Sequence, residues 1–186
     1  MITTFHYILK MLPGALAAAA VLGIFWPWRK RRLAEKGLVS SWRREGALLL
    51  FAMFAGGMAV ITLTPPGFDW LAALEEGWQG PWFSLGTANL VPFATFGDLY
   101  ILAGNIVMFL PFGFFPALLF RNFGWRRALL TGVCVTAFIE VTQLLVGRAF
   151  DIDDLMLNTL GAFCGFLIQK ALGRGLYLRP ESENLP

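Results

Sequence analysis

Residues 128–172 read ALLTGVCVTAFIEVTQLLVGRAFDIDDLMLNTLGAFCGFLIQKAL. Two apolar runs, 128–147 and 152–172, are joined by a turn that carries Arg148 and Asp151. Each run is close to the ~20 residues that a helix needs to cross the hydrocarbon of a bilayer. Three further runs qualify. These are 11–28, whose helix begins near Phe5, then 46–64, which ends at Pro65-Pro66-Gly67, and 99–120, which contains Pro111 and Pro116 and is predicted to kink there. The composition agrees, with 57% hydrophobic and 15% charged residues and a mean hydropathy of +0.63. A soluble domain is roughly 45–50% apolar and about 25% charged. The same numbers exclude a disordered chain, which needs low hydrophobicity and high net charge. Cys134 and Cys164 lie inside apolar runs, which argues against a disulfide-stapled secreted fold. The expected fold class is therefore all-α: a polytopic membrane protein of about five transmembrane helices.

The few charges are sorted along the chain. Residues 29–45 hold seven Lys or Arg, residues 121–127 hold three and residues 170–179 hold three, together 13 of the 15. With five spans, all of these fall on one side, and short cytoplasmic loops carry the excess of positive charge. This predicts an outer N-terminus and a cytoplasmic C-terminus in a multi-pass protein of a bacterial cytoplasmic membrane. The positive net charge is thereby assigned to topology, and no nucleic-acid partner is expected. Only Lys10 precedes the first run and seven basic residues follow it, so it reads as a retained anchor and not as a cleaved leader. Three regions are expected. Residues 1–84 hold two spans, the basic loop and an outer interfacial segment with Trp70, Trp78 and Trp82; residues 85–172 hold three spans; residues 173–186 form a polar cytoplasmic tail.

Polar residues inside spans are expensive and mark the candidate site. An acid at the centre of a span costs roughly 2.5–3.5 kcal/mol on insertion scales, which singles out Glu140. Thr136, Glu140, Gln143 and Gly147 share one helical face, and Asp151, Asp154, Asn158, Gly161 and Gly165 share another. Turning these faces toward each other and toward Asn105 predicts a polar pocket open to the outside. Arg148 is the expected ion-pair partner of Glu140. Gly161 and Gly165 form a GxxxG, suited to close helix packing or to a homodimer face. Each feature also has a structural reading: the acids at 151–154 as helix caps, Asn105 as an interhelical hydrogen bond, and Glu140 with Arg148 as a buried pair. Together, Glu140, Asp151, Asp153 and Asp154 leave an excess of negative charge, which suits a divalent cation such as magnesium or calcium, or a cationic ligand. There is no HExxH helix, and the single histidine, His6, disfavours imidazole catalysis.

Ordered blocks of sequence resemble the VanZ-like family of bacterial integral membrane proteins. They are Asn89-Leu90-Val91-Pro92-Phe93, Gly104-Asn105, Met108-Phe109, Pro111-Phe112-Gly113, Ile139-Glu140, Gln143, Gly147-Arg148, Phe150-Asp151, Asp153-Asp154, Asn158 and Gly161. They cover roughly residues 85–170, making 85–172 the VanZ-like region; the first two spans match only as hydrophobic helices. The position before the Ile-Glu pair that often holds serine in the family has Thr136 as its nearest polar residue here. The resemblance implies a cell-envelope protein associated with glycopeptide (teicoplanin) resistance, without implying a reaction. Asn89 joins the candidate ligand-binding residues on this ground. The expected role is an outer pocket that binds a lipid, a lipid-linked cell-wall precursor or a lipoglycopeptide. The alternatives are a membrane-embedded, metal-assisted hydrolase or transferase acting on a lipid-linked phosphate, a small transporter, and a structural assembly protein.

Overall fold

The computed structural model describes residues 2–94 and 97–180, without the side chains of residues 2–8 and 71. The helices are α1 (Ile2–Ala34), α2 (Trp42–Leu63), α3 (Trp70–Glu76), α4 (Leu99–Leu119), α5 (Trp125–Leu145) and α6 (Ile152–Leu172). All but the short α3 are long and apolar enough to cross a membrane. The chain is thus an all-helical, multi-pass membrane protein. Four two-residue strands, β1 (Leu38–Val39), β2 (Ala88–Asn89), β3 (Phe150–Asp151) and β4 (Arg179–Pro180), tie loops together. β1 pairs antiparallel with β4, and β2 pairs parallel with β3.

Several predicted boundaries move. α1 continues through the basic residues Arg29 to Arg32, whose charges sit in and just before its last turn. α2 starts earlier than residue 46, because Ser41 caps it by accepting from Arg44 N. α4 runs through Pro111 and Pro116. α5 ends at Leu145, so Gly147 lies beyond the helical face on which it was predicted and occupies a turn at φ 84°. The predicted tail is partly structured: Leu176 N donates to Leu118 O, and β4 returns to β1, while residues 181–186 lie outside the described part.

Glycine sets the helix packing. A Cβ on Gly113 would lie 1.7 Å from Ala162 O, one on Gly161 2.4 Å from Ile106 O, and one on Gly165 2.0 Å from Leu110 O. The backbones of α4 and α6 therefore touch, and no side chain fits between them. Gly161 and Gly165 are spent on this contact inside one chain, so the homodimer face read from the GxxxG is already covered by α4. α1 and α2 form a hairpin pinned in the same way, with Gly14 and Gly56 each too close to the other's carbonyl for a Cβ. Between the hairpin and the α4–α5–α6 bundle sits an apolar cluster of Met58, Phe109, Phe112, Ile139 and Ala162. Phe51 and Phe54 of α2 meet Phe112 edge-on, each with ring centroids 5.8 Å apart.

Candidate functional site

The site is built on the turn between α5 and α6. Asp151 caps α6, its Oδ1 accepting from Asp153 N at 2.9 Å. The backbone N–H of Asp151 donates to Glu140 Oε2 at 2.9 Å, so the span-embedded glutamate holds the start of the next helix. Residues 84–89 run alongside: Ser84 N and Gly86 N donate to Leu145 O and Leu144 O, and Phe150 N donates to Thr87 O. A Cβ on Gly86 would lie 1.7 Å from Arg148 O, which is why the loop approaches so closely. Asn89 Nδ2 then donates to Asp151 Oδ2 at 3.2 Å. Phe93, a non-glycine residue at φ 67°, donates its N–H to Asp153 Oδ1 at 2.6 Å. That conformation costs about 1–3 kcal/mol and persists only where its surroundings hold it.

Deeper in, the polar residues pair between helices. Asn105 of α4 donates to Asp154 of α6. Asn158 Nδ2 of α6 donates to Thr136 Oγ1 of α5 at 2.9 Å. Glu140 is 1% exposed and Asp153 0%, so hydrogen bonding and not solvent satisfies them. Arg148 departs from expectation. Among the described residues it forms no ion pair within 4.0 Å with Glu140, and its Nη1 donates instead to Ile61 O at 3.0 Å. The reason lies in α2. The residue four positions after Ile61 is Pro65, which has no N–H, so the Ile61 carbonyl has no helical donor and takes one from Arg148.

These pairings enclose a cavity of about 480 Å³ at the seam between the α1–α2 hairpin and the α4–α5–α6 bundle. Asn105, Glu140, Gln143, Arg148, Asp154 and Asn158 supply its polar wall; Met11, Phe54, Met58, Ile61, Met108 and Phe109 supply most of its apolar wall. Six of the nine predicted ligand-binding residues are thereby brought together. Asn89, Asp151 and Asp153 do not line the cavity and instead brace the loop and the turn beside it. The apolar wall was not predicted as part of the site, since methionine and phenylalanine in a span carry no signal of their own. Asn158, one of the lining residues, has its Oδ1 buried without a hydrogen-bond partner.

Among the described residues, no three His, Cys, Asp or Glu side chains come together in a way that could hold a metal ion. Glu140, Asp151, Asp153 and Asp154 each accept from a different donor, a backbone N–H or a side-chain amide. The lining hydroxyl of Thr62 is bonded back to Met58 O at 2.7 Å. What the cavity offers a ligand is hydrogen-bond acceptors, one guanidinium and an apolar surface. Because the Asp151 side chain links the cap of α6 to Asn89, whose Oδ1 accepts from Val91 N, Asp151→Ala is expected to release residues 89–91. Losing the cap costs about 1 kcal/mol, and hydrogen–deuterium exchange should show these amides deprotected while those of α4 stay protected.

A five-span helical membrane protein with a buried polar cavity between its hairpin and its bundle is the class that this geometry defines. The family model described as VanZ/LLP1 matches residues 48–173. The chain therefore belongs to the VanZ/LLP1 family, and the match reaches upstream of the blocks read from sequence, into α2. Among curated proteins it is similar to "Protein VanZ" of Enterococcus faecium, 30% identical over 78 residues, which is 41% of this chain. The match spans about half of that relative's length, 48%. No solved structure matches.

Proposed function

We propose that this protein is a bacterial cell-envelope protein whose cavity faces outward and binds a lipoglycopeptide, lowering susceptibility to that class of antibiotic. The orientation rests on the basic residues, which favour a cytoplasmic placement of the ends at 29–45, 121–127 and 170–179. The observation that carries the reading is the composition of the cavity, which pairs a polar wall with an apolar wall drawn mainly from α1, α2 and α4. A ligand with both a polar head and a hydrocarbon chain matches both walls. The lining has two carboxyl groups, Glu140 and Asp154, against one guanidinium, Arg148. That balance favours ammonium and N–H donors over phosphate, and so favours a lipoglycopeptide over a lipid-linked diphosphate precursor.

The test is binding of a fluorescent teicoplanin-class lipoglycopeptide to the full chain in proteoliposomes, compared with Asp154→Asn. The variant keeps an oxygen to accept from Asn105 and so retains the fold, but it loses the charge. Binding is expected to weaken roughly ten-fold, the loss of about 1.4 kcal/mol that fits a bond to a charged group. Equal binding by both proteins, or none by either, would overturn the proposal.

A further inference from the structure

The α1–α2 hairpin is pinched at one end and splayed at the other. At Gly14 and Gly56 the backbones are in contact, whereas a Cβ on Gly23 of α1 or Gly46 of α2 would meet nothing within 4 Å. Two cavities fill the splayed end, of about 300 and 530 Å³, and they share Trp26, Arg29 and Glu45. Their chemistry differs. The larger is an apolar groove between the helices, lined by Leu22, Gly23 and Leu49 among others. The smaller adds Lys30 and Ser40 at the end of the hairpin.

Charge at the junction is unbalanced. Among the described residues, Glu45 is the sole carboxylate lining either cavity, and it accepts from both Arg29 and Ser40. Arg44 Nη1 lies 3.8 Å from the same carboxylate and 3.4 Å from Ser40 Oγ. Among the described residues, one acid thus meets two guanidinium groups, Arg29 and Arg44, and Lys30 adds a third cation to the lining of the smaller cavity. Arg44 is only 5% exposed, and its Nε is buried without a hydrogen-bond partner. The Arg29 guanidinium also lies over the Trp26 ring, 5.1 Å from its centroid, which holds it at the mouth of the groove. A hydrocarbon slot that leads to a surplus of positive charge at one end of a span is complementary to one molecule: a lipid with an acidic head. Basic pockets between spans recognise such headgroups through charge-assisted hydrogen bonds.

We infer that the splayed end of the α1–α2 hairpin binds a single anionic phospholipid, with its phosphate at Arg29 and Lys30 and an acyl chain in the groove beside Gly23. This site is distinct from the Glu140 cavity, shares no residue with it, and is independent of the ligand proposed there.

The experiment is native mass spectrometry of the full chain released from detergent after incubation with phosphatidylglycerol or phosphatidylcholine. One bound phosphatidylglycerol is expected to survive conditions that strip phosphatidylcholine. Arg29→Gln with Lys30→Gln is expected to lower its retention about ten-fold. Because Arg29 also pairs with Glu45, a second variant leaves the ion pair intact: Gly23→Phe fills the open groove and is expected to expel the lipid with the melting temperature unchanged. Glycerol phosphate, which has the head without the chains, is expected not to compete. Equal retention of the two lipids, full retention by Gly23→Phe, or displacement by glycerol phosphate would each overturn the lipid site; the last would assign it to a soluble phosphate.

Discussion

Gly113→Ala is expected to destabilise the protein by about 3 kcal/mol or more, the upper range for overpacking. Its added methyl would sit 1.7 Å from Ala162 O, and the obstruction is backbone, which no rotamer change relieves. To accommodate it, α4 and α6 must separate, which also loosens the contacts at Gly161 and Gly165. The same substitution at Gly104, on the same helix, meets nothing within 4 Å. There the gain in helix propensity, about 1 kcal/mol, acts alone. Thermal unfolding followed by size-exclusion in detergent should therefore move in opposite directions for the two variants. If Gly113→Ala melts with the wild type, the α4–α6 contact does not exist as described.

Glu140→Ala is expected to remove both binding and part of the stability. The carboxylate is the acceptor for Asp151 N, and deleting it leaves that N–H without a partner, at a cost of about 1–3 kcal/mol. The turn that carries Arg148 and caps α6 then loses its anchor in α5. Glu140→Gln separates the two roles, since its side-chain oxygen still accepts from Asp151 N while the charge is gone. The glutamine variant is expected to melt near the wild type and still bind the lipoglycopeptide weakly, with susceptibility in a host strain returning toward the level without the protein. Wild-type binding and susceptibility in both variants, at equal expression, would remove Glu140 from the site.

Much of the architecture is legible in the sequence because burial in hydrocarbon leaves a composition that is hard to mistake. The span 152–172 coincides with α6, Ile152–Leu172, since Asp151 stops the apolar run and supplies the cap in one residue. Glu140, Asn105 and Asn158 stand out for the same reason: polar groups in a span need partners. Their partners were harder to read. Glu140 and Arg148 are an obvious pair by charge and spacing, yet Arg148 serves a carbonyl of α2 that proline strips of its donor, and Glu140 serves a backbone N–H. Pro65 was visible as a helix breaker; that the carbonyl it leaves unmet faces α5 and α6 depends on how the hairpin docks.

By itself, the sequence determined the number of spans, the sorting of the basic residues to one set of loops, and the polar faces of α5 and α6, because these follow from hydropathy and helical period. Tertiary structure decided which faces meet. Gly161 and Gly165 were equally able to pack against a second copy or within the chain, and the matching gap at Gly113 of α4 settles the contact inside the molecule. It also decided which donor each acid serves, since that depends on side-chain direction across several elements and not on spacing along one. The apolar half of the cavity, and the open groove between α1 and α2, exist only through packing: a residue that lines a void carries the same hydropathy as one that fills a core.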